Sequence, residues 1–424
     1  MNPFQEYICI LGKNIIGSEI MKQINIALLG LGTVGTGVVQ ILKENHEQIK
    51  EKLNTDIRIT WILVSDVTKP RSIETAHYQL TDNIEDIKND DTIDMYVEVM
   101  GGIENTKEIL LYALNQKKHV ITANKDLLAE HLEEMEQAAH NNGVSLKYEA
   151  SIAGGIPVVN ALNYGLNANG IGKFMGIFNG TSNFILSKMT HERQSYEEAL
   201  RIATELGFAE ADPTADVDGI DAARKVTIMS YLAFNQFRKL EDCRYTGIRE
   251  VKLSHIDIAK AFGYRIKLIG SGVMNGDDVS LYVEPMCIPS DHQLSHVEYE
   301  YNAIYIDGNA VGDTMYYGKG AGSLATGSAV VSDILNVIEL IGTDLHNLPL
   351  HLEIKQETRE QPSCLLLIID LYADSNIEAI LNEISVERHI VRDGMLAIET
   401  DREVNYEYLE EQQLNYKTYR IEGV

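Results

Sequence analysis

Basic side chains are in short supply: 36 lysines and arginines stand against 63 aspartates and glutamates, for a net charge of −27. So acidic a chain repels nucleic acid and anionic lipid, which argues against both as partners. A phosphorylated small molecule stays possible, because backbone N–H groups at a helix start and a few local cations can hold it. Cysteine is equally sparse. Cys9, Cys243, Cys287 and Cys364 lie too far apart for a zinc motif or a disulfide framework, so they read as inert thiols of a cytoplasmic protein. Proline is rare (8) beside 32 glycines, which points away from disorder and toward tight turns. No apolar run approaches membrane-spanning length. Residues 1–20 have no amphipathic period and lack the cationic start, apolar core and cleavage site of a signal peptide. They run into Met21-Lys22-Gln23, a clean lead into a strand, so Met21 reads as the natural start and residues 1–20 as an extension.

What is present is organised. At 424 residues the chain exceeds one core, and two or three domains are expected. Over residues 21–155, apolar strands (Ile24–Leu29, Ile57–Val64, Met95–Val99, His119–Thr122) alternate with amphipathic helices, one running from Val38 to Leu53. This pattern predicts a doubly wound parallel sheet. Residues 156–327 read as a mixed α+β domain. Its helices lie near Tyr196–Leu206 and Ala222–Phe234, and its strands near Val279–Met286 and Ala303–Ile306. The glycine-rich turn Tyr317–Ser323 leads to a helix over Ser328–Ile341 that returns to the first domain. Past a charged linker near Glu353–Pro362, residues 358–424 form a small strand–helix–strand unit (Leu365–Leu371, Ile377–Ile384, Gly394–Glu399).

Gly30-Leu31-Gly32-Thr33-Val34-Gly35 follows the first strand and opens a helix. Glycine at each of the three positions permits the tight turn, the approach of backbone to a pyrophosphate, and close helix–strand packing. A dinucleotide is therefore the expected cofactor. Asp66 after the second strand suits a free ribose 2′-OH, while Lys69 and Arg71 suit a 2′-phosphate; the balance favours NADP, with NAD the alternative.

Two segments carry the chemistry. Lys125, in Thr122-Ala123-Asn124-Lys125, lies just past a strand at the carboxyl edge of the parallel sheet, where ligands bind. It could equally be a solvated lysine opening the next helix. Glu210, Asp212, Asp216 and Asp218 crowd a loop before a helix on which Asp221 and Lys225 share one face. An exposed acidic turn with a surface ion pair is the plain reading, yet Ile228, Met229 and Leu232 continue that face and make the helix a buried one. A buried lysine needs partners or a depressed pKa, and either suits it to proton transfer. Aldehyde reduction needs an ammonium to meet the charge developing on oxygen. An α-amino substrate would need carboxylates such as Glu210, Asp216 and Asp221.

Together with Glu98–Gly102, Glu149–Pro157, Gly176–Asn183 and Gly318–Asp333, these segments resemble the homoserine dehydrogenase family over about Ile24 to Ile341; the Glu210–Asp216–Asp221–Lys225 string is the most specific. The resemblance implies a Rossmann-type domain, a catalytic and dimerisation domain, and NAD(P)-dependent interconversion of homoserine and aspartate semialdehyde. It implies Lys225 as proton donor and acceptor, supported by Asp216, with Lys125 contacting cofactor and substrate. Glu210 and Asp221 would bind homoserine; Thr33, Val34, Gly207 and Gly322 would line the cofactor beside Gly30, Gly32 and Gly35. It also implies a sodium ion on the Glu149 carboxylate and the carbonyls of Ile152, Gly154 and Ile156, and a homodimer or homotetramer.

The sequence departs from that pattern in places. Ala325-Thr326-Gly327-Ser328 replaces the family's Pro-Thr-Ala-Ser, and Ser65 stands where an arginine would support NADP. The C-terminal unit resembles an ACT module, but Leu371–Asn376 lacks the effector-capturing loop, so a structural or assembly function is expected rather than threonine feedback. No aspartate kinase domain is read ahead of the fold, so the monofunctional form is expected. A thioester-forming semialdehyde dehydrogenase would need a cysteine beside a base, and no such motif occurs. A non-catalytic nucleotide sensor would have no use for Lys225 and its carboxylates.

Overall fold

The computed structural model describes residues 21–341, 364–372, 375–384, 386–401 and 404–422. The expected extension at residues 1–20 and the expected linker near Glu353–Pro362 fall outside them.

The first layer is built from β1 (Lys22–Leu29), α1 (Thr33–Glu44), α2 (His46–Leu53), β2 (Thr55–Leu63), β3 (Gln79–Thr81), α3 (Ile84–Lys88), β4 (Met95–Glu98), α4 (Glu104–Asn115), β5 (His119–Thr122), α5 (Lys125–Asn142) and β6 (Leu146–Lys147). All six strands are parallel, in the order β3-β2-β1-β4-β5-β6. Ile24, Ile26, Ala27, Leu28 and Leu29 are buried, as a central strand covered on both faces requires. The strand order reverses between β1 and β4, which opens a crevice beyond their carboxyl ends. The single helix expected over Val38–Leu53 is broken at Asn45 (φ −102°, ψ 10°). α1 is amphipathic and packed, whereas α2 buries no residue and lies on the surface. The edge strands β3 and β6 are three and two residues long, too short for a periodic signal.

The second layer comprises β7 (Ile171–Ile177), α6 (Gly180–Glu192), α7 (Tyr196–Glu205), α8 (Ile220–Phe234), β8 (Cys243–Tyr245), α9 (Leu253–Ala261), β9 (Tyr264–Asn275), β10 (Asp278–Pro289), β11 (Tyr301–Gly308), β12 (Gly312–Lys319) and α10 (Ser323–Leu340). The six strands form a mixed sheet ordered β12-β11-β7-β9-β10-β8, antiparallel except between β10 and β8. Helix α8 packs on β9 and β10, and α6 on β9 and β11.

Helix α10 begins at Ser323, five residues before the expected start, and Tyr317–Lys319 belong to β12 rather than to a turn. The glycines mislead here. Gly322 (φ +124°) does end the turn, but Gly327 lies inside the helix, where a Cβ would come within 2.9 Å of the Gly37 backbone. Gly37 and Gly327 let α1 and α10 cross at close range, the use for which a helix tolerates glycine. By length and composition α10 is apolar enough to span a membrane, contrary to the expectation that no stretch is. Half of it is buried, against α1 and the first sheet.

Among the described residues the C-terminal unit has four strands where two were expected: β13 (Leu365–Asp370), α11 (Ile377–Glu383), β14 (Arg388–Arg392), β15 (Met395–Thr400), α12 (Tyr406–Glu411) and β16 (Tyr416–Arg420). They form an antiparallel sheet ordered β14-β15-β13-β16, a ferredoxin-like arrangement. It is joined to the second sheet through Ile421. Ile421 bridges Cys287 of β10 and donates its N–H to the Cys364 carbonyl, and the Glu422 N–H bonds the Cys287 carbonyl at 3.1 Å.

A Cβ at Gly37 would run into the Ser323 carbonyl. Gly37→Ala is therefore expected to destabilise the fold by about 1–3 kcal/mol, the typical effect of overpacking. Thermal unfolding checks this; an unchanged melting temperature would show that the α1–α10 crossing yields freely.

Candidate active site

The crevice at the β1–β4 switch point is lined by the glycine loop. Gly30 adopts φ +107°, with the Val99 backbone 2.9 Å from where a Cβ would stand. A Cβ on Gly35 would strike the Gly30 carbonyl, while one on Gly32 would meet nothing within 4 Å. Gly30 and Gly35 are thus needed for packing, and Gly32 borders open space. Gly32 also caps α1 and, as a glycine, brings no side-chain acceptor to the helix N-terminus. That combination of free N–H donors, a positive dipole end and an open cradle fits a dinucleotide pyrophosphate. The Ser323 hydroxyl donates to the Thr33 carbonyl at 2.7 Å, which brings Thr33 beside exposed Gly322.

Asp66 and Arg71 lie at the end of β2. The Asp66 carboxylate turns back on its own loop, accepting the Thr68 hydroxyl (2.6 Å) and N–H (2.8 Å), which hold its pKa below the ordinary value. Arg71 spans from this loop to the glycine loop: it donates to the Asp66 carbonyl at 2.7 Å and the Leu31 carbonyl at 3.4 Å. Its buried Nε has no partner among the described residues.

Lys225 and Asp221 both lie on α8, and Lys225 is 9% exposed. Its ammonium donates to Asp221 Oδ2 at 2.7 Å and to the Phe178 carbonyl at 2.8 Å. An ammonium has three protons, so one is left without a protein partner among the described residues. Lys125, the first residue of α5, reaches the other oxygen, Asp221 Oδ1, at 3.1 Å. The cap of Asn124 on Leu127 N–H and its bond to the Gly102 carbonyl fix that helix start. Adjacent residues repeat the crossing, since Arg224 pairs with Asp126 at 2.9 Å. Burial alone would lift the Asp221 carboxyl, but the charges of Lys225 and Lys125 outweigh it and hold it well below the usual carboxylate range. The Asp221 charge in turn raises Lys125.

The crowded acidic loop divides into distinct parts. Asp216 joins the site through Asn179, whose Nδ2 donates to Asp216 Oδ1 (2.7 Å) and Asp221 Oδ2 (2.9 Å). Burial, with the Asp221 charge added, raises the Asp216 carboxyl. Asp212 accepts the Thr214 N–H at 3.1 Å, and Asp218 pairs with Arg249. Glu210 and Gly207 lie exposed on the loop, which is tied down where the Thr181 hydroxyl bonds the Phe208 carbonyl at 2.7 Å. The structure brings Lys125, Asp216, Asp221 and Lys225 together. Asn179, the Phe178 carbonyl and Asn302, which shares that carbonyl at 2.9 Å, had no place in the expected site.

The Glu149–Ile156 turn packs against α8 and α10. Both Glu149 oxygens accept backbone N–H groups, from Val159 (2.8 Å) and Asn160 (2.7 Å), and Asp333 accepts the Glu149 N–H at 2.8 Å. Burial pushes Glu149 up to about 7 and Asp333 up to about 8. Cys243, Cys287 and Cys364 are buried and free, and burial pushes the Cys243 thiol up to about 12; such thiols are poor nucleophiles.

A dinucleotide cradle facing a lysine pair held by one carboxylate defines an oxidoreductase working with a nicotinamide cofactor. Family models described as homoserine dehydrogenase, NAD binding domain, and homoserine dehydrogenase match residues 30–149 and 157–335. The Bacillus subtilis (strain 168) homoserine dehydrogenase is 46% identical over 319 residues, spanning 75% of this chain and 74% of that protein. A crystal structure of the S. aureus homoserine dehydrogenase at pH 6.0 is 49% identical with a TM-score of 0.81, covering 95% of this chain and 100% of the other. That of the Thiobacillus denitrificans homoserine dehydrogenase is 34% identical with a TM-score of 0.86, over 95% and 99%. The chain belongs to the homoserine dehydrogenase family. It is an oxidoreductase of a CH–OH group, interconverting L-homoserine and L-aspartate 4-semialdehyde in threonine, methionine and isoleucine biosynthesis.

Asp221→Asn would leave two ammonium groups facing each other without a carboxylate. Breaking a buried pair in this way is expected to remove about 3 kcal/mol of stability at pH 7. The native carboxyl is held low, so its contribution is complete above about pH 4 and is lost as pH falls through the folded value. The gap between wild type and variant, read by denaturant unfolding, should thus be constant above about pH 4 and close below it.

Proposed function

We propose that Lys225 exchanges the proton of the reacting oxygen. Its partners explain the choice: Asp221 Oδ2 and the Phe178 carbonyl hold two of its protons, and the third is available to a substrate oxygen. When bound, the nicotinamide accepts or supplies the hydride. In reduction, the Lys225 ammonium stabilises the charge growing on the aldehyde oxygen and delivers the proton; in oxidation, the neutral amine takes the hydroxyl proton. Lys125, more open than Lys225 and bound to the same carboxylate, lies toward the cofactor side and contacts both ligands. Asp216, Asp221 and the exposed Glu210 supply negative charge for the substrate ammonium, and Asp216 supports Lys225 through Asn179. Thr33, Val34, Gly207 and Gly322 border the cofactor.

NADP is the cofactor we favour over NAD. Arg71 stands between the glycine loop and the end of β2 with an Nε unpartnered among the described residues, and Asp66 turns its Oδ1 back on Thr68. Sodium is proposed on the Glu149 carboxylate and the carbonyls of Ile152, Gly154 and Ile156. These are hard oxygen donors, and Glu149 and Asp333 form a buried acidic pair with no ion pair to either among the described residues. We place homo-oligomer contacts on the second sheet, where the edge strand β12 exposes Met315 and Tyr317, in a cytoplasmic protein.

Homoserine oxidation, assayed separately with NAD and NADP, tests the mechanism. Lys225→Ala should lower kcat by about a thousandfold or more while cofactor binding survives; turnover near wild type would refute the proton-transfer assignment. Loss of a charge-assisted bond of about 1.5–3 kcal/mol in Arg71→Ala should raise KM for NADP about tenfold or more. KM for NAD should stay within about twofold, and an equal rise with both cofactors would remove Arg71 from 2′-phosphate recognition.

A further inference from the structure

Asn179 is 5% exposed and precedes the first residue of α6. Its side chain is bonded on every side. Oδ1 accepts the Ser182 N–H at 2.8 Å and the Ser182 hydroxyl at 2.7 Å, which caps the helix. This fixes which way the amide faces. Turned over, Nδ2 would confront the Ser182 N–H, and Oδ1 would confront two carboxylates. Nδ2 therefore donates to Asp216 Oδ1 and to Asp221 Oδ2 at once, one proton to each.

The geometry has a consequence for Lys225. Asp221 Oδ2, which Asn179 holds, is also the oxygen that binds the Lys225 ammonium. The preceding residue, Phe178, supplies the carbonyl for the second lysine bond. Two neighbouring residues thus set both protein contacts of the reacting amine, one directly and one through Asp221. The same amide spans two carboxylates that would otherwise repel each other, and an N-cap needs neither contact.

We infer that Asn179 is a positioning residue for the hydride-transfer reaction, holding Asp216 and Asp221 side by side as anions so that Asp221 presents one fixed oxygen to Lys225. The inference rests on the assignment of Lys225 as the proton-exchanging group. The charged groups facing the cluster are Asp216 on the loop, Asp221 and Lys225 on α8, and Lys125 on α5; β11 contributes only the neutral Asn302.

Serine and aspartate both cap helices about as well as asparagine, so Asn179→Ser and Asn179→Asp separate the two functions of this residue in the full-length chain. Serine keeps the cap and cannot span the carboxylates; aspartate keeps the shape and sets a third acceptor against them. Asn179→Ser should melt within a few degrees of wild type, whereas Asn179→Asp, which adds a buried carboxylate, should melt lower; both should bind NADPH, followed by its fluorescence, within about twofold. Their kcat for homoserine oxidation should fall about tenfold or more. Because Asn179 lowers the Asp216 carboxyl, removing its donor should move the acid limb of the kcat/KM profile to higher pH. A kcat within about twofold of wild type with an unmoved profile would overturn the proposal. So would a loss of activity that merely follows a loss of melting temperature while the profile stays in place. An active Lys225→Ala would instead strike the proton-transfer assignment itself, whatever the Asn179 variants show.

Discussion

The Asp221 carboxylate is the interaction on which the site depends. It is nearly buried, and it is ionised because two ammonium groups and an amide surround it. Each oxygen has its own lysine. Oδ1 receives Lys125 from the nucleotide-binding layer, and Oδ2 receives Lys225 from its own helix. One carboxylate therefore joins the nucleotide-binding layer to the layer of the mixed sheet. The Arg224–Asp126 pair repeats that link a residue further on, so helices α5 and α8 are clamped at two adjacent points.

The rest of the fold keeps α8 where that clamp needs it. One flank of the helix lies on β9 and β10 and another meets α5. The αL conformation of Gly219 (φ +84°) starts it sharply after the acidic loop. The Ile248 N–H bonds the Val217 carbonyl at 2.8 Å and Arg249 pairs with Asp218, which pins the loop just before Asp221. β10 in turn carries the C-terminal unit. Arg420 pairs with Glu284 at 2.9 Å and stacks over Tyr282, Lys417 pairs with Glu250, and His255 bonds the buried Tyr419 hydroxyl at 2.6 Å. Glu250 adjoins Arg249, so the C-terminal sheet braces the segment that holds the acidic loop. This suits a structural contribution from that unit.

Several features were legible because they are local. The glycine loop follows an apolar strand, and Asp221 and Lys225 are spaced at i, i+4. The largely apolar α8 announces its own burial. The misreadings are equally specific. β3 and β6 are too short to show a period, and the C-terminal β14 alternates weakly because it is mostly exposed. Gly327 reads as a helix breaker until Gly37, nearly three hundred residues earlier, is seen against it. Asn179 had no part in the expected site, because nothing nearby in the chain suggests that it caps α6 with one end and spans two carboxylates with the other.

The class of fold, the cofactor loop, the family and the helix face bearing Lys225 were all readable from the order of residues. Periodicity and motif spacing are properties of neighbours along the chain, so they survive without coordinates. Which members of the acidic loop reach the lysines came from folding alone. Asp212, Asp216, Asp218 and Glu210 are alike as residues. Their separation into loop acceptor, site carboxylate, partner of Arg249 and exposed side chain depends on what α5, α6 and the Ile248–Arg249 segment bring alongside. Burial and long-range pairing set the charge state of a carboxylate, and both arise only when distant segments meet.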